Sequence, residues 1–181
     1  MRSRVRGLLA AFLLAVAPAA TEAKVYHSRM EALELAFPDA ERIESETHVL
    51  SDPQVERIQE LSRCQIDSKL VKLYTGMKGD DVLGYAFIDI HSVRTMPEAF
   101  MVVLTPEGSV RALRLLAFHE PLEYQPAGRW YDQFERKSLK QPLRLGGDIH
   151  GIVGATLSAR ATTRGVRRAL ALYEVLVQNG Q

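Results

Sequence analysis

Four apolar runs in the middle of the chain constrain its fold more than any other feature. They cover residues 70–77, 82–91, 99–104 and 110–118, are rich in Val, Ile, Leu, Tyr and Phe, and end in turn residues. Short polar segments separate the first run from the second and the third from the fourth, and a longer loop at 92–98 joins the middle two. Because short connections pair consecutive strands antiparallel, the sequence predicts an antiparallel meander.

Helical periodicity flanks these strands. Ser28 is placed to cap a short helix that Pro38 stops, and Asp52 to cap a second helix that has Pro53 at its first position and ends near residue 63. The longest helical pattern runs over 157–179 and ends at Gly180. We therefore predict an α+β fold in which a mainly antiparallel twisted sheet of four to six strands is flanked by N-terminal helices and a long C-terminal helix.

The first 23 residues have the pattern of an export signal. Arg2, Arg4 and Arg6 precede an apolar run, and small residues up to Ala23 suit a cleavage site. The run is shorter than the roughly 20 residues that span a bilayer, so we expect cleavage and a periplasmic location, with uncleaved tethering as the alternative. We expect residues 24–181 to form a single domain, with a helical N-terminal part at 24–64 and a core at 69–181.

Charge and cysteine content exclude several classes of protein. Removing residues 1–23 takes three of the 23 basic and one of the 22 acidic residues, which leaves a net charge near −1 and gives no indication of nucleic-acid binding. Cys64 is the only cysteine, so an internal disulfide is excluded. The sequence has no Cys-x-x-Cys or haem-attachment motif, and we expect no metal site and no acid–base catalytic set.

The segment Gly154-Ala155-Thr156-Leu157-Ser158 carries the chemistry. Its small residues allow close approach to the backbone, and the free N–H groups of the helix that follows suit an anionic phosphate. Arg160 lies one turn into this helix. The same pattern also suits an ordinary helix start, in which the hydroxyl of Thr156 or Ser158 accepts a backbone N–H as a cap.

This segment before a long C-terminal helix resembles the flavinylation motif of the FMN-binding domain family, which includes the G subunit of the Rnf electron-transport complex and the C subunit of the sodium-pumping NADH:quinone oxidoreductase. The resemblance covers about residues 69–178, including the Pro-Glu-Gly-Ser turn at 106–109, the segment from Phe118 to Pro121, and Trp130 to Phe134. It implies that Thr156 carries FMN through a phosphoester bond. A separate flavin transferase would install this FMN, with FAD as donor. At two places where the family commonly has an acidic residue and a Ser or Thr, this chain has His150 and Val153.

Other residues are candidates for contact with the flavin. The resemblance places His119 and Glu120 near the isoalloxazine ring, although both also fit a solvated strand end. Tyr124 and Trp130 have aromatic faces that suit stacking on the ring, while Trp130 also fits the core. His150 is placed to hydrogen-bond the phosphate or the ring, with a surface loop histidine as the simpler interpretation.

The leading functional hypothesis is an exported electron carrier that passes electrons between membrane or periplasmic redox proteins, such as a quinone-linked module or a cytochrome. Two alternatives stay open. One is a module that binds flavin without a covalent bond and acts in sensing or in assembly of a membrane redox complex. The other is a small periplasmic flavin reductase. The absence of a nicotinamide fingerprint favours a carrier over a standalone catalyst.

Overall fold

The fold is built around one antiparallel sheet. The computed structural model describes residues 24–180, so the predicted signal at 1–23 lies outside the described residues. The strands are β1 (Lys24–Val25), β2 (Arg42–Val49), β3 (Leu70–Lys78), β4 (Asp81–Ser92), β5 (Pro97–Leu104) and β6 (Val110–Phe118). Their order across the sheet is β1-β6-β5-β4-β3-β2, and every neighbouring pair is antiparallel. Strands β3 to β6 confirm the four predicted from the apolar runs.

Strands β1 and β2 lie in the region 24–64, which the sequence pattern describes as helical, so that description is wrong for these two segments. Strand β2 pairs with β3 along its whole length, at the edge of the sheet. Its sequence is Arg-Ile-Glu-Ser-Glu-Thr-His-Val, and most of its residues are exposed. A charged edge strand has no apolar alternation to reveal it, although charge is one way in which such edges avoid aggregation.

Three α-helices complete the fold: α1 (Arg29–Ala36), α2 (Asp52–Ser62) and α3 (Thr156–Tyr173), with a wider π-helical turn (Glu174–Gln178) continuing α3. Ser28 caps α1 as predicted, through a reciprocal capping box with Glu31. The predicted cap of α2 is wrong by one residue. Ser51, not Asp52, accepts the backbone N–H of Gln54, and the Gln54 side chain returns to the Ser51 backbone.

The helices cover both faces of the sheet. Alternate residues of β5 point to opposite sides, so that Phe100 and Val102 pack with α2 and α3 while Met101 and Val103 pack with α1. The two N-terminal helices, which look alike in the sequence, therefore lie on opposite faces. Two 3₁₀ helices, Leu122–Tyr124 and Gly128–Phe134, follow β6 in the irregular region and lie before α3.

Helix α3 lies very close to the sheet at Gly165. A Cβ atom there would lie 2.5 Å from the Phe100 ring and 2.9 Å from the Asp89 carboxyl carbon. Glycine is therefore required for this approach, despite its cost in a helix interior. Between residues 24 and 180, none of the helices combines the length and apolar character needed to cross a membrane.

Candidate functional site

Thr156 is the first residue of α3 and lies at the edge of a cavity of about 110 Å³. The cavity is formed by the glycine segment, the first 3₁₀ helix and the loop between β4 and β5. Its lining residues are Val93, Arg94, Tyr124, Gly154, Ala155, Thr156, Leu157 and Ser158. We call it the Thr156 cavity. Six of the twelve candidate residues therefore meet in one place.

The two hydroxyl groups of this segment differ in availability. The Thr156 side chain is exposed and donates one hydrogen bond, 3.1 Å long, to the Ile152 carbonyl. Ser158 is buried, and its hydroxyl donates a 2.6 Å hydrogen bond to the Tyr124 carbonyl. Neither hydroxyl accepts a backbone N–H, so the capping interpretation is wrong for both.

The start of α3 has room for an anion. Ala155 occupies the cap position, and no side chain caps the first turn. Gly154 has φ of +88°, a conformation that side chains rarely adopt, and nothing lies within 4 Å of where its Cβ would be. The N–H groups of the first turn have no partners within the helix, and the helix dipole adds about half a positive charge there. The backbone thus supplies hydrogen-bond donors without a competing carboxylate.

Glu120 supports the opposite wall of the cavity. It is 5% exposed, and its Oε1 atom accepts the N–H groups of Arg94, Thr95 and Met96 at 2.8–3.0 Å. Burial raises the pKa of Glu120, but these three hydrogen bonds outweigh it and hold the pKa below its ordinary value. Glu120 therefore fixes the loop that presents Arg94.

Arg94 and Tyr124 form a pair across the cavity, with the guanidinium carbon 5.1 Å from the centre of the ring. The sequence pattern identified Tyr124 but not Arg94 or Val93. Both lie in the loop between β4 and β5, which the sequence shows only as a longer connection. A local pattern does not reveal them, because Glu120, more than twenty residues away, sets their position.

Trp130 and Gln133 hold the backbone of the glycine segment through hydrogen bonds to His150. Trp130 is buried, and its indole N–H donates a 2.7 Å hydrogen bond to the His150 carbonyl. The His150 N–H donates to the Gln133 side chain at 2.8 Å. The second 3₁₀ helix therefore holds the chain five residues before Ala155. The His150 residue itself is exposed.

The remaining candidates lie outside the cavity lining. The Nδ1 atom of His119 lies 3.1 Å from the carbonyl oxygen of Pro97, at the end of the loop. Val153 is fully exposed, and Arg160 is exposed one turn into α3. Leu157, which lines the cavity and is 46% exposed, gives it an apolar edge.

A buried charge cluster, Asp89, His91, Glu98 and Arg168, joins β4 and β5 to α3. His91 contacts Asp89 at 2.7 Å and Glu98 at 3.2 Å, and Arg168 Nε contacts Asp89 at 2.8 Å. Burial alone lowers the pKa of His91, but the hydrogen bonds and charges of the two carboxylates raise it to about 9. His91 is therefore positively charged at neutral pH, and the four groups balance to zero net charge.

Comparison with known proteins finds sequence similarity to a subunit of an oxidoreductase complex. It is similar to the G subunit of the Na⁺-translocating ferredoxin:NAD⁺ oxidoreductase complex of Acetobacterium woodii, with 24% identity over 139 residues. This alignment takes in 67% of the chain and 64% of the relative, so the chain matches less than two thirds of that relative's length. No protein-family model matches the chain. The match to this relative confirms the resemblance drawn from the sequence.

Proposed function

We propose that this protein is an exported electron-transfer flavoprotein that carries FMN on Thr156 through a phosphoester bond and exchanges electrons with a membrane redox complex. The observation that carries the proposal is the position of Thr156: an exposed hydroxyl at an uncapped helix N-terminus, beside a cavity that contains Arg94 and Tyr124. The similarity to the Acetobacterium woodii relative supports the same class of function.

The hydroxyl groups of α3 favour Thr156 as the acceptor. Ser158, Thr162 and Thr163 are buried, and each donates its hydroxyl to a backbone carbonyl at 2.6–3.0 Å. Thr156 needs only to give up one 3.1 Å hydrogen bond to Ile152. Because a threonine hydroxyl is a weak nucleophile without a base, we expect a flavin transferase to form the bond with FAD as donor. The Thr156 oxygen would replace AMP on the FMN phosphorus, so that the pyrophosphate bond of FAD breaks, AMP leaves and the hydroxyl proton is released.

The residues around the cavity fit the phosphate end of FMN. The first-turn N–H groups of α3 and the Arg94 guanidinium would hold the phosphate by charge-assisted hydrogen bonds. Tyr124 offers an aromatic face for the flavin. FMN, when bound, supplies one- and two-electron redox chemistry.

The size of the cavity is consistent with a carrier. Its volume of about 110 Å³ is well below the roughly 300–1,000 Å³ of pockets that enclose a whole ligand. We therefore expect the ring to stay accessible, next to the exposed side chain of Leu157. An accessible ring suits electron exchange with a protein partner, such as a quinone-linked module or a cytochrome. It suits the enclosed binding of a small substrate less well.

The test is to co-express the chain with a flavin transferase and to examine the denatured protein. We expect in-gel flavin fluorescence and a mass gain equal to FMN less water. Thr156→Ala should lose both signals completely, while Ser158→Ala should keep them. Wild-type protein without an adduct would overturn the covalent proposal. If Thr156→Ala binds FMN when folded and releases it on denaturation, the result would support the non-covalent alternative.

A further inference from the structure

A second and larger cavity lies where the end of α2, the end of β4 and the first half of α3 meet. Its volume is about 760 Å³, within the range of pockets that bind small organic ligands. It shares no lining residue with the Thr156 cavity. We call it the arginine cavity, because Arg63, Arg164 and Arg168 line it together with His91.

The charges around this cavity leave a positive excess. The charges of His91 and Arg168 are balanced from beneath by the carboxylates of Asp89 and Glu98. Arg63 and Arg164 are exposed, and neither forms an ion pair with any residue in the described range 24–180. Asp67 is the one further acid among the lining residues. Two free guanidinium groups against one carboxylate favour an anionic ligand.

Arg63 occupies a backbone position at the end of α2 where glycine is the usual residue. Arg63 follows the last residue of α2 and has φ of +53° and ψ of +34°, the left-handed conformation that glycine usually supplies at this position. The arginine at this position brings a guanidinium group to the edge of the cavity, where glycine would have none.

His91 and Arg168 form the floor of the cavity, and their side chains are held by hydrogen bonds to neighbouring residues. All three guanidinium nitrogens of Arg168 have partners in Asp89 and Gln65, and both ring nitrogens of His91 have carboxylate partners. Gln59 accepts the Ile66 N–H through its side-chain oxygen, which leaves its amide N–H groups free to donate. The floor therefore sets the shape of the cavity, while Arg63, Arg164 and Gln59 have hydrogen-bond donors available for a ligand.

We propose that the arginine cavity binds an organic dianion, with its carboxylate or phosphate group held between Arg63 and Arg164 and its polar body on the floor formed by His91 and Arg168. This proposal does not depend on the flavin, since the two cavities are separate. A site of this kind gives the protein a binding function beyond electron transfer.

Cys64 makes the proposal testable, because it is the only cysteine of the chain and lines the cavity. The full chain with Thr156→Ala, made without flavin transferase, is titrated with inorganic phosphate, AMP, malonate and citrate. Two readouts are followed: protection of Cys64 from N-ethylmaleimide by mass spectrometry, and binding by isothermal titration. The phosphate and carboxylate probes distinguish the two sources of the dianion. A stronger effect of AMP than of inorganic phosphate, or of citrate than of malonate, shows that the cavity contacts the body of the ligand.

The variants separate binding from folding. Arg63→Gly relieves the left-handed strain and should fold at least as stably as the parent, yet weaken binding about tenfold or more, as does Arg164→Gln. Arg57→Gln on α2 makes the same change of charge away from the cavity and should bind like the parent. The proposal fails if no probe binds saturably below roughly 10 mM. It also fails if Arg63→Gly and Arg164→Gln bind like Arg57→Gln.

Discussion

The Thr156 cavity and the buried charge cluster use polar residues in opposite ways. The cavity has an exposed hydroxyl, uncapped helix N–H groups and a guanidinium group that contacts an aromatic ring. In the cluster, two carboxylates form ion pairs with His91 and Arg168, and Glu98 is fully buried. We therefore expect a loss of stability when one member of the cluster is removed, whereas the cavity keeps its groups available for chemistry. The free energy of unfolding, measured in urea for a series of variants, tests this difference.

The largest loss is expected for Asp89→Ala. This change leaves Arg168 partly buried without its carboxylate and takes the closer of two acceptors from His91. Removing one member of a buried ion pair costs roughly 3–5 kcal/mol. Asp89→Asn keeps an acceptor oxygen and should lose less. A loss below about 1 kcal/mol for Asp89→Ala, the level of an exposed pair, would contradict a stabilising role for the cluster.

The second effect is a dependence of stability on pH through His91. Its pKa is about 9 in the folded protein and 6.5 for an ordinary histidine, so folding favours the protonated ring. The stabilisation is complete below about pH 6.5 and is lost as the pH rises through about 9, with a total of about 3 kcal/mol. In His91→Gln this loss should disappear. Equal pH profiles for the two proteins would show that His91 does not hold its proton in the fold.

A smaller loss is expected for Glu120→Ala, which acts on the loop that carries Arg94. The change leaves the N–H groups of Arg94, Thr95 and Met96 without their acceptor. Unmet buried donors cost about 1–3 kcal/mol, and we expect about 2 because water reaches part of the loop. Glu120→Gln keeps the acceptor oxygen and should recover most of the loss. Hydrogen exchange at these three amides should rise in Glu120→Ala only.

The smallest effect is expected for Thr156→Ala. The side chain is exposed and makes one hydrogen bond to Ile152, so the change should alter stability by less than about 0.5 kcal/mol. Ser158→Ala removes a buried 2.6 Å hydrogen bond to Tyr124 and should cost about 1 kcal/mol. Ser158→Ala should therefore lose more stability than Thr156→Ala, whereas Thr156→Ala alone should lose the attached flavin. A Thr156→Ala loss above that of Ser158→Ala would mean that Thr156 is a structural residue.

The sequence alone determined the elements whose signal is local. The apolar runs that became β3 to β6, the cap at Ser28 and the helix that begins at Thr156 follow from patterns a few residues long. These patterns reflect side-chain periodicity and backbone geometry, which neighbouring residues set by themselves. The candidate acceptor, Thr156, is likewise predicted from the short segment at the start of α3.

Only the tertiary structure decided which distant residues share a site. Strand β2 is too charged to show a strand pattern, and pairing with β3 orders it. Arg94 reaches Tyr124 because Glu120 holds its loop, and Arg168 meets Asp89 because Gly165 lets α3 approach the sheet. Each of these contacts joins residues far apart in sequence. Their energies depend on burial and charge balance in the assembled fold, which no local pattern contains.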